Sequence, residues 1–253
     1  MKIRVLGAYG AEGLGQRPTS FLVNERILID AGTVGGALTL PEHTHIQHAL
    51  ITHSHLDHVA GLAFLTETLA FSETRSPLTV TSLEPVVNAL RAGVFNNIAW
   101  PDFSQIPAEA PVMKYRTLVE EAEQRVGDVW VTPVAVNHAV PTTGFIVHDG
   151  TTGFLFSGDT GPTEALWQAA RGLRGLRAAL VECAFPNHMA KLAKVAGHLT
   201  PELLERELEK LPPDIPVLIY HVKPQFYDRI AEELSRIDPA RISIVEQDKT
   251  YTL

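Results

Sequence analysis

Residues 53–58 read HSHLDH and place four metal-binding side chains within six positions. They directly follow the apolar run at residues 49–52, which predicts a short buried strand that delivers the cluster to a sheet edge. A closed tetrahedral site takes only four ligands, drawn from the whole fold. The local spacing crowds too many ligands together for one ion and therefore suggests two ions side by side.

Histidine is common in this chain, with 11 residues in 253, so a solvated histidine-rich loop is the alternative interpretation of this segment. His43, His45 and His48 lie just upstream and match no closed site that the spacing completes. We expect these three to be mostly loop or surface residues. The denser cluster at residues 53–58, which lies at a strand end and is followed by Gly61, favours metal binding.

A strand followed by HxHxDH resembles the metallo-β-lactamase superfamily, and the resemblance covers nearly the whole chain. Further signposts of that family occur in the expected order, each after an apolar strand-like run. They are Asp30 in residues 27–32 (ILIDAG), His138 in residues 136–138 (VNH), Asp159 in residues 156–160 (FSGDT) and His221 in residues 218–221 (LIYH). Each can therefore reach the same rim of a sheet sandwich.

The resemblance implies a ligand set and a chemistry. Neutral imidazoles with carboxylate support suit zinc, although manganese or iron would also accept these ligand types. Two ions about 3.5–4 Å apart share a water, lower its pKa and clamp the attacking and leaving oxygens, which suits a bridging hydroxide that cleaves phosphodiesters. By resemblance one ion is held by His53, His55 and His138, the other by Asp57, His58 and His221, with Asp159 bridging them and Asp30 supporting the site.

Residues 53–62 (HSHLDHVAGL) resemble the class II 3′,5′-cyclic-nucleotide phosphodiesterases, which favour Leu at the position of Leu56. That class implies hydrolysis of a cyclic nucleotide (cAMP or cGMP) to the 5′-monophosphate. The class signature continues toward a Ser followed by Pro or Ala, whereas residues 64–67 here read FLTE, so another phosphodiester stays open as the substrate. Other segments similar to the class are residues 100–103, 137–145, 182–187 and 197–200.

His198 is expected to be a proton donor to the leaving group or a phosphate-binding group, since the family's phosphodiesterase members carry a histidine loop there. A general acid near neutral pKa helps to expel an alkoxide. The alternative is an exposed residue near the helix cap at Thr200. Glu182, at a strand end, is expected to orient the His198 imidazole. The expected catalytic set is therefore Asp57, Glu182 and His198.

Five other side chains are candidates for substrate contact or reactivity. Cys183 is expected to be a small buried hydrophobic residue rather than a nucleophile. Trp100 and Phe103 could stack on a purine, but packing in a core or lid is the more common role of such aromatics. Phe185 and Asn187 belong to a loop that leads toward the metal rim, which places them slightly better for substrate contact.

Composition indicates a soluble enzyme. The net charge of −8 argues against binding of long nucleic acid, which rests on Lys and Arg, but a small anionic phosphodiester could still bind at two cations. The one cysteine excludes an internal disulfide, and no apolar run approaches a signal sequence or a membrane span, so we expect a cytoplasmic location. No linker or repeat divides the chain, and residues 1–253 are expected to form one domain.

The coarse pattern predicts strands and helices in two similar halves, which implies the α/β, four-layer αββα sandwich of the metallo-β-lactamase family. Thr200 as N-cap and Pro201 at the first helical position mark a late helix clearly. The other predicted elements are a hairpin at residues 20–29, helices at 58–71, 84–94 and 225–237, and strands at 1–7, 78–81, 129–136, 144–148, 153–157, 178–182 and 241–246.

Several rival functions share the same ligands. A tRNA 3′-processing ribonuclease carries an inserted arm between the third histidine and the bridging aspartate, whereas only 20 residues separate His138 from Asp159 here. A lactonase or thioesterase would direct the same hydroxide at a carbonyl carbon. A non-catalytic metal-binding or nucleotide-sensing protein would not need an open site for two ions. Homodimers are common among relatives, although no stripe in this sequence marks an interface.

Overall fold

A computed structural model describes residues 1–73 and 76–253 and contains two seven-stranded mixed sheets. The first half of the chain forms β1 (Lys2–Gly7), β2 (Ser20–Val23), β3 (Ile27–Ala31), α1 (Leu40–His43), β4 (His48–Leu50), α2 (Leu56–Ala70), β5 (Leu78–Ser82), α3 (Glu84–Gly93) and β6 (Met113–Thr117). The second half forms β7 (Gln124–Val126), β8 (Val129–Ala135), β9 (Thr143–His148), β10 (Gly153–Phe156), α4 (Ala165–Gly172), β11 (Leu176–Glu182), α5 (Ala190–Ala196), α6 (Pro201–Leu208), β12 (Val217–Tyr220), α7 (Tyr227–Leu234), β13 (Ile242–Ile244) and β14 (Thr250–Thr252). Short 3₁₀ helices cover Asn187–Met189 and Pro224–Phe226.

The two sheets have matching topologies. The strand order is β14-β1-β2-β3-β4-β5-β6 in one sheet and β13-β12-β11-β10-β9-β8-β7 in the other. In the first sheet, the strands from β14 to β3 pair antiparallel and those from β3 to β6 pair parallel. In the second sheet, the strands from β7 to β10 pair antiparallel and those from β10 to β13 pair parallel. Parallel strands require crossover connections, and helices of the chain supply most of them.

The central core lies between the sheets, and helices cover the outer face of each. The Phe21 ring of the first sheet packs against the Phe156 and Tyr220 rings of the second at 5.2 and 5.4 Å between centroids. Separate apolar clusters lie outside the sheets, one containing residues of α2 and α3 and one containing residues of α4, α6 and α7. The predicted αββα sandwich is therefore confirmed.

Most predicted elements occur within two residues of their expected bounds. At the hairpin, Asn24 and Glu25 adopt positive φ values of 48° and 59°, the left-handed conformation that a tight turn between β2 and β3 needs. At the start of α6, the Thr200 hydroxyl accepts a hydrogen bond from the Leu203 N–H at 3.4 Å, as the capping pattern predicts. The predicted helix at 225–237 is shorter in the structure, since its first turn is 3₁₀.

Six elements were absent from the predictions: α1, α4, α5, β6, β7 and β14. The edge strand β6 reads MKYRT and pairs only with β5 within its sheet. Its partly exposed, polar-rich sequence carries little of the alternation that identifies a strand. Among the described residues, no helix is long and apolar enough to cross a bilayer.

The expectation for the upstream histidines was wrong in part. His43 is only 2% exposed, because α1 packs on α2 and buries its last residue. His45 is exposed as expected, whereas His48 begins β4 and is half-buried. Within the described part of the chain, neither ring nitrogen of His43 has a hydrogen-bond partner.

We expect the buried His43 to destabilise the fold in acid. Burial lowers the pKa of His43, so below the ordinary value of about 6.5 the unfolded chain binds a proton that the folded chain does not. The contribution of the neutral His43 ring to the free energy of unfolding is therefore fully present above that pH and is lost as the pH falls. His43→Leu should therefore gain stability relative to the parent as the pH falls from 7.5 to 5.5 in urea unfolding, whereas the exposed control His45→Leu should not. A His43→Leu difference that is the same at every pH would contradict this.

Candidate metal centre

The predicted site residues converge because strand ends meet at one edge of the sandwich. In the second sheet, β8 and β10 are each antiparallel to β9, and β10, β11 and β12 are parallel, so these strands point the same way. His138, Asp159 and His221 each follow the carboxyl end of one of these strands. In the first sheet, β4 leads into His53, and His55 is the N-cap of α2.

The first group of ligand atoms comprises His53, His55 and His138. His53 Nε2 lies 3.0 Å from His55 Nδ1, and His138 Nε2 lies 3.3 Å from the same His55 atom. Ligand atoms about 2.0–2.1 Å from a tetrahedral zinc ion are roughly 3.3 Å apart. The three nitrogens therefore have the mutual spacing of atoms that share an ion.

The second group comprises Asp57, His58 and His221. Asp57 Oδ2 lies 3.9 Å from His58 Nε2 and 3.8 Å from His221 Nε2. Asp159 lies between the two groups, since its Oδ2 is 3.1 Å from His221 Nε2, 3.3 Å from His58 Nε2 and 3.7 Å from His53 Nε2. This is the position from which one carboxylate can serve two ions.

Hydrogen bonds fix which nitrogen of two rings faces the site. His58 Nδ1 lies 2.8 Å from Asp30 Oδ2, and His138 Nδ1 lies 3.0 Å from the Gly197 carbonyl oxygen. Both partners accept, so both Nδ1 atoms carry a proton and Nε2 is the ring nitrogen that faces the site.

The same logic applies to the other two rings that use Nε2. Thr52 Oγ1 donates its single proton to Asp30, so His53 Nδ1, at 3.0 Å, must donate to Thr52. His221 Nδ1 lies 2.9 Å from Thr19 Oγ1. Partners of this kind orient metal ligands and raise their basicity.

Unsatisfied buried atoms show that the cluster fits a metal. Among the residues that the structure describes, His58 Nε2 and Asp159 Oδ1 are buried without a hydrogen-bond partner. Such atoms cost free energy unless a ligand satisfies them. The donor set of imidazole nitrogens and carboxylate oxygens suits zinc and also accepts manganese or iron.

Electrostatics keeps Asp159 ionised and favours neutral His53 and His221 rings, whereas it favours protonation of His58. Burial opposes ionisation of Asp159, but the neighbouring His221 and His58 rings outweigh it and hold the pKa of Asp159 well below its ordinary value. Burial lowers the pKa of His53 and of His221 well below the usual range. Burial opposes protonation of His58, but Asp159 and Asp30 outweigh it and raise the pKa of His58 well above its usual value, so a bound cation would displace a proton from this ring.

Two site residues adopt a left-handed backbone that is unusual for residues other than glycine. Asp30 has φ of 55° and His221 has φ of 61°. Asp30 is fully buried and accepts hydrogen bonds from the backbone N–H and the hydroxyl of Thr52, at 2.8 and 2.9 Å. Such strained conformations cluster at functional sites, where the surrounding structure holds them.

Glu182 and His198 form a buried pair beside the first group. Glu182 Oε1 lies 2.7 Å from His198 Nδ1, and the His198 ring lies 4.9 Å from the His138 ring. Burial opposes protonation of His198, but the Glu182 carboxylate outweighs it and raises the pKa of His198. With Nδ1 directed at Glu182, the other ring nitrogen is free to act toward the site. The catalytic roles of both residues stay predictions.

The remaining candidates divide into packing residues and one residue near the site. Cys183 is fully buried, as expected, and Phe103 is 8% exposed in the cluster under α2. Trp100 packs on that cluster and lies 5.4 Å from the Phe64 ring. Phe185 lies 5.5 Å from the His198 ring. Both Trp100 and Phe103 therefore have the packing role.

Asn187 is held by other parts of the protein. Its backbone N–H donates to Glu233 at 2.8 Å, and its side-chain oxygen accepts from the Glu202 backbone N–H at 2.8 Å. These bonds tie the loop after β11 to α6 and α7. The contacts of Asn187 therefore support a structural role.

Sequence reasoning missed the residues that orient the rings, namely Thr19, Thr52 and the Gly197 carbonyl. Thr52 directly precedes His53, so its position was a usable signal. Thr19 lies 202 residues from His221, and nothing local marks the pair. Gly10 was also missed; a Cβ there would lie 2.7 Å from His221 Nε2, so only glycine fits.

Comparisons with known proteins agree with this geometry. A Yersinia pestis protein named "Probable 3′,5′-cyclic-nucleotide phosphodiesterase" is 27% identical over 212 residues, which cover 72% of this chain and 58% of that protein. A Schizosaccharomyces pombe protein named "3′,5′-cyclic-nucleotide phosphodiesterase" is 28% identical over 187 residues, which cover 64% of this chain and 50% of that protein. The chain thus spans little more than half the length of these curated relatives.

The structural and family comparisons cover more of the chain. The crystal structure of unliganded yeast PDE1 shares the fold, with a TM-score of 0.84 at 21% identity over 100% of this chain and 99% of that one. Residues 25–221 match the family described as "Beta-lactamase superfamily domain". That range begins before Asp30 and ends at His221, so it contains every residue of both ligand groups. The chain belongs to the β-lactamase superfamily.

Proposed function

We propose that this protein is a metal-dependent phosphodiesterase that hydrolyses a 3′,5′-cyclic nucleotide to the 5′-monophosphate. The observation that carries the proposal is the pair of ligand groups that share Asp159 at 3.1–3.7 Å. The names of the Yersinia pestis and Schizosaccharomyces pombe relatives support the choice of a cyclic nucleotide.

The residues that would hold two divalent ions are those of the first and second ligand groups, together with Asp159. Ions held there would lower the pKa of a water to supply a hydroxide and would neutralise charge on the phosphoryl oxygens. We propose zinc, given the imidazole-rich donor set. One ion would be held by His53, His55 and His138, the other by Asp57, His58 and His221, with Asp159 shared between them.

His198 and Glu182 would together supply a proton to the leaving group. Protonated His198 would donate from Nε2 to the departing sugar oxygen, while Glu182 holds Nδ1 and fixes the ring. His198 is only 6% exposed, so water competes little for that proton. The Thr160 backbone N–H also donates to Glu182 at 3.0 Å, which holds the carboxylate in place.

The structure bears on the ribonuclease alternative. The segment between His138 and Asp159 contains β9, β10 and their short connections. It leaves no room for an inserted arm, which favours a small diester over a tRNA precursor. The lactonase and thioesterase alternatives differ from the proposal in substrate, and the non-catalytic alternative hydrolyses none. A substrate screen separates all three from the proposal.

One experiment tests the function directly. The purified protein is analysed for metal content and then assayed, with added zinc or manganese, on cyclic AMP, cyclic GMP, bis-p-nitrophenyl phosphate, acyl lactones and thioesters. We expect two ions per chain and turnover of the cyclic nucleotides. Turnover of lactones or thioesters alone would replace the proposal, and inactivity on every ester class would favour a binding protein.

We expect Glu182→Gln to slow the chemical step. The amide keeps the size of the side chain but loses the charge that stabilises protonated His198, so kcat for a cyclic nucleotide should fall by about tenfold or more. Steady-state kinetics measures this, with Glu207→Gln as a matched control at a buried glutamate that bonds Trp167 instead. Unchanged turnover in Glu182→Gln would remove the residue from the mechanism.

Two further expectations are kept as proposals. We propose that residues 1–253 form one domain, since both sheets contribute side chains to one shared core. We also propose a homodimer, which light scattering coupled to size-exclusion chromatography would test.

A further inference from the structure

Lys223 lies beside the metal centre and is held in place by two contacts. Its Nζ donates to the Gly10 carbonyl oxygen at 3.0 Å and lies 5.5 Å from the centre of the Phe185 ring. Gly10 packs directly on His221, and Phe185 packs on His198. The ammonium therefore lies on the side of the centre where the His198 and His221 rings stack at 5.5 Å.

This cation has no anionic partner within the described ranges, since no carboxylate lies within 4.0 Å of it. Lys223 is also half-buried. An uncompensated charge next to cation sites is electrostatically unfavourable unless an anion binds there. The carbonyl and the aromatic face satisfy the ammonium only in part, because it has three donors.

We propose that Lys223 forms an anion subsite that binds the negatively charged phosphoryl group of the substrate and so selects anionic phosphodiesters over neutral esters. This inference rests on the proposed function. Lysine is a common point-charge ligand for phosphate. Neutral lactones and thioesters would gain no binding energy from the Lys223 charge, so this residue would favour anionic phosphodiesters over other esters.

Lys223 is a substrate-binding residue in this proposal. A charge that binds the phosphoryl group equally in the ground state and the transition state changes KM and leaves kcat nearly unaffected. The alternative is a purely structural tie between the Gly10 segment and the residue after β12. Gln can still donate to the Gly10 carbonyl but has no charge, whereas Met keeps only the apolar stem.

The experiment compares Lys223→Gln, Lys223→Met and Lys223→Arg with the parent. The substrates are bis-p-nitrophenyl phosphate, which is anionic, and diethyl p-nitrophenyl phosphate, which is neutral and has the same leaving group. Binding of inorganic phosphate to the zinc-loaded protein is measured by calorimetry. Lys194→Gln, at an exposed position on α5, is the control for the loss of one positive charge.

We expect Lys223→Gln and Lys223→Met to raise KM for the anionic diester roughly tenfold, with kcat within about twofold, and to weaken phosphate binding by a similar factor. Lys223→Arg and Lys194→Gln should remain near the parent, and rates on the neutral triester should not change. Equal losses on both substrates, or phosphate binding by Lys223→Gln that matches the parent, would overturn the proposal.

The calorimetric arm separates this inference from the proposed function. Phosphate binding requires no turnover, so it reports on Lys223 even if every diester is inert. A parent that hydrolyses diesters, with a Lys223→Gln variant that behaves identically, would leave the function standing and reject the subsite. An inert parent whose phosphate binding depends on Lys223 would reject the proposed function and leave the anion subsite standing.

Discussion

Replacing His55 with Ala is expected to abolish hydrolysis while the fold is retained. The His55 Nδ1 atom lies within 3.0–3.3 Å of the ring nitrogens of His53 and His138, so its removal opens the first ligand group. Losing the several kcal/mol of charge stabilisation that a bound ion supplies corresponds to at least about a thousandfold loss in kcat/KM. Steady-state kinetics and metal analysis of the same sample measure both consequences.

The design separates loss of metal from loss of structure. The His55 side chain is half-buried at the N-cap of α2 and makes no hydrogen bond to a capping position, so its truncation should leave the circular dichroism spectrum unchanged. His45→Ala, at an exposed histidine, is the matched control and should keep full activity and metal. Retained turnover by a His55→Ala protein that has lost its metal would refute the scheme.

Replacing His198 with Ala is expected to reduce turnover of a cyclic nucleotide by about a hundred- to ten-thousandfold, the usual contribution of a general acid. The sugar oxygen is a poor leaving group and needs a proton as it departs. p-Nitrophenolate is a good leaving group and does not. The loss should therefore be much smaller on bis-p-nitrophenyl phosphate than on the cyclic nucleotide.

This dependence on the leaving group distinguishes proton donation from a general disturbance of the metal centre. A ring that served only to pack on His138 and Phe185 would, when removed, slow both substrates by the same factor. His188→Ala, at an exposed histidine in the 3₁₀ helix Asn187–Met189, is the control and should resemble the parent. An equal loss on both substrates would leave His198 with a structural role.

Local patterns were sufficient for most elements and for the list of candidate ligands. The capping signal at Thr200, the turn at Asn24 and the apolar runs before His53 and His221 each report the conformation of a few adjacent residues. Weak patterns failed where exposure removes the periodicity, as in β6, and where a short helix such as α1 ends in a histidine that local sequence places at the surface.

The sequence by itself determined which residue types stand at the strand ends, because side-chain chemistry and strand periodicity are local properties. Only the tertiary structure decided that Thr19 supports His221 from 202 positions away, that Gly197 fixes the His138 ring from 59 positions away, and that Lys223 meets Gly10 across 213 positions. The packing of two sheets sets such contacts, and packing depends on the whole chain at once. The same packing buries His43 and brings Lys223 to the metal centre.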